Sequence, residues 1–188
     1  MRRFALLFLL MTMPAALSAA PEAYLLEKDR SIVGFTWYFG EDEVKGTMPV
    51  KDADLVIDFD RVENSRVKVS VDVRGAKAGF PFADQAMTGP KVLWAEKFPT
   101  IGFESQNIKR KGDGAEIDGF LSVRGVTRPV TFNAELYRQQ GTEVGERDRM
   151  SIVVTGTLSR AAFGATGWSD LVGDEVTLTI LTRIRRAE

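Results

Sequence analysis

The chain has 188 residues, 25 basic against 26 acidic side chains, and contains neither histidine nor cysteine. Without imidazole or thiol, Ser-His-Asp and Cys-His catalysis, the usual zinc sites, haem-histidine ligation and a disulfide framework are closed to it. The basic residues are scattered rather than striped, which excludes the electrostatic footprint of a nucleic-acid binder, and the short group Arg183, Arg185 and Arg186 reads as a solvated strand end.

In chain order, Arg2 and Arg3 precede an apolar run over 4–13 and a small-residue stretch over 14–20, the anatomy of a secretory signal peptide. The run is too short to cross a bilayer, which needs roughly 20 residues, so no transmembrane segment is expected. Cleavage after Ala19 predicts a signal peptide over 1–19 and a single exported domain over 20–188, periplasmic or secreted, whose net charge falls from −1 to −3 with the loss of Arg2 and Arg3.

The hydrophobic period in that domain is two. Val33, Phe35, Trp37 and Phe39 share one phase; Leu55, Ile57 and Phe59 alternate with Asp54, Asp58 and Asp60; Val67, Val69, Val71 and Val73 alternate with Lys68, Ser70 and Asp72. Each pattern predicts an antiparallel strand with one wet face. The segment 80–98 interrupts the series. Pro81 and Pro90 each stand where the first turn of a short helix favours proline, and Trp94 and Phe98, four residues apart, would share the face of a helical plug over one barrel end. Strands over 101–108, 115–123, 129–137, 151–158 and 175–183 complete the set, with a hairpin turn at Lys111-Gly112-Asp113-Gly114 and a short loop at Gly125-Val126-Thr127 ending at Pro129. Eight strands joined by short turns predict an all-β fold: an extended antiparallel eight-stranded β-barrel with a short helical insertion.

Motifs for catalysis are sparse. Gly167-Trp168-Ser169-Asp170-Leu171 lacks the second glycine of a nucleophile elbow, and neither a P-loop nor a dinucleotide fingerprint is present, so no cofactor and no metal is expected. Asp52, Asp54, Asp58 and Asp60 could face one another or a hard cation, but their alternation favours a solvated strand face. What the chain has in excess is aromatic side chains at inward phases. An eight-stranded barrel either fills its interior with such side chains or leaves room for one ligand. Burying an apolar chain yields about 0.8 kcal/mol per methylene and needs shape and dryness rather than polar chemistry. Three classes stay open on residues alone: a lipid carrier, a filled structural or protein-interaction barrel with no ligand, and a carboxylate-based hydrolase or isomerase.

Five segments carry a resemblance. KFPTIGFES at 97–105 and GFLSVRGVTRPVTF at 119–132 look like the signature strands of the YceI family; LSRAAFGATGWSDLVGDEVTLTI at 158–180 is similar to its closing segment and final strand. DQAMTGPKVLWAEKF at 84–98 and VGFTWYFGEDEVKGTM at 33–48 resemble its helical insertion and opening hairpin. The resemblance implies a lipocalin-like barrel, a binding protein rather than an enzyme. It implies a polyisoprenoid, an isoprenoid quinone or polyprenyl-type lipid, held in a hydrophobic tunnel for storage or transport, with a link to stress responses. Homodimerisation is left open. On that reading Phe35, Trp37, Phe39, Trp94, Phe103, Leu121, Phe132, Phe163 and Trp168 form tunnel or plug, with Asp84 and Arg160 as polar anchors. The family commonly has histidines in the opening hairpin and after the aspartate of the insertion. Here those places read 33–44 and Asp84-Gln85-Ala86, so no imidazole is offered to a head group.

Overall fold

The structure, a computed structural model, describes residues 20–188. The expected signal peptide over 1–19 lies outside the described residues. Among the described residues there are ten strand segments and one short α-helix: β1 (Glu22–Leu26), β2 (Ile32–Phe39), β3 (Asp42–Met48), β4 (Val50–Ile57), β5 (Arg66–Asp72), α1 (Pro81–Thr88), β6 (Thr100–Lys111), β7 (Gly114–Val123), β8 (Val126–Arg138), β9 (Arg149–Ser159) and β10 (Glu175–Arg186).

These ten segments make eight staves. Along β10, residues Thr177 to Leu181 pair with β2 and residues Ile184 to Arg186 pair with β1, so β1 and β2 lie end to end, separated by one 3-10 turn at Lys28–Arg30. Segments β3 and β4 sit end to end in the same way against β2 and β1. Pro49 divides them because it has no N–H to give the ladder; its carbonyl instead accepts from the Asp72 amide at 2.9 Å. The ring then runs β1–β4–β5–β6–β7–β8–β9–β10 and closes on β1, antiparallel throughout. Closure removes the free edges that so many strands would otherwise expose.

The turns follow their residues. Lys111 pairs with Gly114 across a two-residue turn whose first central residue, Gly112, has φ +57°. The next hairpin differs from expectation. Val123 pairs with Val126, so the loop is Arg124-Gly125, both with positive φ, the backbone of a type I′ turn. Pro129 therefore lies within β8, paired with Phe120 on one side. It is tolerated because the ladder between β8 and β9 begins only at Asn133.

The insertion between β5 and β6 holds one helix rather than two helical turns. Pro81 occupies the start of α1, while the chain after Pro90 runs through hydrogen-bonded turns. This segment fills the opening between β3 and β6 at one end of the barrel, where Ala78 and Ala83 pack on Phe35 and Trp37.

Candidate functional site

Inward phases of the staves converge on a cavity of about 360 Å³ that runs from Ile184 and Phe59 at one end to α1 and Trp168 at the other. Its volume is at the lower end for small-ligand sites, about 300–1,000 Å³. Val69, Phe103, Ile152, Val154, Leu178 and Ile180 all line it and are only partly buried although they face inward, because what they face is space. The interior is a lumen and not a filled core.

Three glycines keep it open. Phe35 is paired with Gly46 on β3, and the phenyl ring lies where a Cβ on Gly46 would stand. The ring of Phe103 crosses to Gly119 on β7, whose Cβ would fall 2.6 Å from it, and the ring of Phe132 likewise covers Gly156 on β9. Each ring is laid against the wall instead of projecting across the barrel. Phe103 and Phe132 then meet each other edge to face, with centroids 5.2 Å apart.

Polar atoms reach this wall at Ser65, Arg160 and Thr182, and their hydrogen-bonding capacity is directed to the protein itself. Thr182 Oγ1 donates to the Ile152 carbonyl at 3.0 Å, and Ser65 Oγ accepts from the Asp58 amide at 2.9 Å. Arg160 donates from Nε to the Gly173 carbonyl, from one terminal nitrogen to Ala165 and Gly167, and from the other to Val172. Four of the five N–H groups of a guanidinium are thus spent on backbone that folds the loop between β9 and β10. Burial pushes the Arg160 guanidinium down from its ordinary pKa, with the Asp174 carboxylate opposing.

The two ends differ. At the Phe59 end the buried Asp58 carboxylate accepts from the Asp60 and Arg61 amides at 3.0 and 2.8 Å and from Asn64 Nδ2 at 3.1 Å. Those bonds, the Arg61 amide first, hold its pKa below the ordinary carboxylate value. Arg147 adds a lid there, lying over the Phe59 ring at 5.7 Å and bonded to Asp60 at 2.8 Å. At the α1 end, Trp168 is 44% exposed and still lines the lumen. That end is the mouth.

Of the expected residues, Phe35, Trp37, Phe103, Leu121, Phe132, Phe163, Trp168 and Arg160 line the lumen, and Phe39, Trp94 and Asp84 do not. Phe39 has the inward phase but ends β2, so it emerges past the wall, 42% exposed, against the edge of Trp37 at 6.4 Å. Trp94 takes a left-handed backbone, φ +52°, which puts its ring outside on Phe98, between Lys97 and Arg124, while Leu93 takes the inward place. The Trp94–Phe98 contact therefore exists, but it is not part of the plug. Asp84 accepts from the Ala78 amide and pairs with Lys77 at 3.3 Å, tying α1 to the chain before it. Asp58 also departs from its expected wet face, because β4 ends at Ile57 and the side chain turns inward. Sequence reasoning passed over the aliphatic wall of β5, β9 and β10 and the contributions of Ala83, Ala86 and Met87. The period-two phase marked the former; nothing short of the position of α1 marks the latter.

Comparison with known proteins agrees with this architecture. The family model for the YceI-like domain matches residues 24–184. A UPF0312 protein of Pseudomonas aeruginosa (strain LESB58) is 32% identical over 109 residues, 57% of this chain and 53% of that protein. Protein YceI of Salmonella arizonae is 30% identical over the same shares. The chain thus spans about half the length of the curated relatives it matches. Among solved structures, Burkholderia cenocepacia BcnA superposes with a TM-score of 0.75 at 17% identity, covering 85% of this chain and 99% of that one. A polyisoprenoid-binding domain from Saccharophagus degradans, implicated in plant cell wall breakdown, gives 0.61 at 10% identity over 88% and 99%. At these identities the likeness shows the fold.

Proposed function

We propose that this chain, which belongs to the YceI-like family, holds the apolar tail of a polyisoprenoid, an isoprenoid quinone or polyprenyl-type lipid, in its barrel lumen for storage or transport. The observation that carries the reading is the lumen itself: an open interior whose wall is aliphatic and aromatic and whose few polar atoms are directed to the protein's own groups. Such a wall gains free energy from each methylene it takes from water, about 0.8 kcal/mol, and asks nothing of a head group. The polyisoprenoid-binding description of the Saccharophagus degradans neighbour supports the same ligand class.

Binding rather than catalysis fits the site, because no carboxylate among the described residues lines the lumen to serve as acid or base. Export to the periplasm or outside the cell follows from the signal-like N-terminus and belongs to the same proposal, as does a part in stress responses. The test is titration of the purified mature chain with isoprenoid quinones of increasing tail length, read by quenching of tryptophan fluorescence, since Trp37 and Trp168 border the lumen. Saturable quenching at one quinone per chain that strengthens with tail length supports the reading. Quenching independent of the tail contradicts it.

A further inference from the structure

Around the mouth the surface is apolar. Phe39 at the end of β2, Phe80 and Phe82 at the start of α1, and Trp168 and Leu171 before β10 are all exposed, Phe82 to 66% and Leu171 to 51%. They form one rim. The Gly40 amide donates to the Leu171 carbonyl at 2.8 Å, Phe39 bridges to Val172, and Phe82 meets Trp168 edge on at 6.3 Å. Of the lumen-lining residues, Trp168 is the exposed one, so the rim and the lumen wall are continuous through its indole.

The charges bordering the rim decide what it can meet. Glu43 is paired with Lys45 at 3.4 Å and Asp84 with Lys77 at 3.3 Å, which leaves Glu41, Asp42 and Asp170 against Lys91, whose ammonium sits 5.2 Å over the Trp168 ring. An excess of acid repels anionic lipid. Indole and phenyl groups backed by a lysine are, by contrast, the side chains that settle at a bilayer interface.

We propose that the rim of Phe39, Phe80, Phe82, Trp168 and Leu171 docks on a zwitterionic bilayer surface, placing the lumen mouth against the membrane so that an isoprenoid tail passes between them without crossing water. The inference rests on the lumen being a lipid site. The passage matters because each apolar carbon exposed on the way raises the barrier to transfer.

The test compares wild type with the double variant Phe82→Ser/Leu171→Ser, neither residue lining the lumen. Co-sedimentation with phosphatidylcholine–phosphatidylethanolamine vesicles is expected to show wild type bound, less so as phosphatidylglycerol is added, and the variant bound at least about tenfold more weakly. Uptake of a long-tailed quinone from those vesicles should slow in parallel, while uptake from detergent micelles stays equal. Equal vesicle binding by the variant overturns docking, as does binding to anionic vesicles alone. A wild-type dimer in sedimentation velocity that the variant dissolves assigns the rim to a second copy and overturns it too. Micelle uptake without vesicle binding defeats the docking proposal only, whereas failure of wild type to take quinone from micelles defeats the lipid reading beneath it.

Discussion

Phe103 and Phe132 stand two staves apart and meet edge to face across β7, each ring seated on a glycine of the next strand, Gly119 and Gly156. The pair forms a belt flat against the wall. Large side chains are thereby accommodated without closing the barrel, which is how an aromatic-rich interior remains hollow.

Gly156→Ala is expected to push the Phe132 ring off its seat and into the lumen. Overpacking of this kind costs about 1–3 kcal/mol, to be read in urea unfolding. The retained lipids should shift to shorter or thinner chains, as identified by solvent extraction and mass spectrometry. A variant that loses stability while keeping the wild-type lipid profile removes the belt from the account of selectivity.

Phe132→Ala removes a ring packed on one side and bordering space on the other. The loss should be about 3 kcal/mol, the lower end for large-to-small aromatic changes, because part of the ring already faces a cavity. Opening the lumen there predicts retention of bulkier tails. In a filled core the same change would lower stability and do nothing else.

Much of this was legible in the sequence. Period-two alternation set the inward phase of β2, β6 and β8, and it placed Phe35, Trp37, Phe103 and Phe132 on the lumen side. The glycine seats were not legible, since Phe132 and Gly156 are neighbours only once the register of β8 against β9 is known. Phase also fails at ends: Phe39 keeps the phase of Trp37 but runs off the strand. Trp94 was misplaced because spacing assumes a helix, and a single residue at φ +52° reverses the side on which the ring falls. Segments β1 and β3 escaped the alternation reading, being short or largely polar, with Val44 and Met48 as the large apolar side chains of β3.

Asp58 carries a pH dependence at the Phe59 end of the barrel. Its folded pKa is below the ordinary value of 3.8, so its contribution is fully present above that value and is lost as pH falls through the depressed folded value. Asp58→Ala leaves the Asp60 and Arg61 amides without their acceptor and should cost about 1–3 kcal/mol near neutrality. Thermal melts of both proteins between pH 7 and strong acid, about pH 2, should converge as the wild-type carboxylate is protonated. A constant gap across that range assigns the effect to packing instead.

Arg160→Met keeps most of the side-chain volume and deletes the donors to Ala165, Gly167, Val172 and Gly173. The expected cost is about 3 kcal/mol, with faster amide exchange confined to residues 165–173 and faster loss of bound lipid through the mouth beside Trp168. Unchanged exchange in that loop would show that the guanidinium does not hold it.

The most direct measurement is native mass spectrometry of the mature chain purified without detergent, followed by extraction and identification of what it carries. A stoichiometric isoprenoid, retained by wild type and altered in length by Gly156→Ala, is the predicted result. A chain that arrives empty and then takes up neither quinones nor polyprenols would contradict the lipid-carrier account.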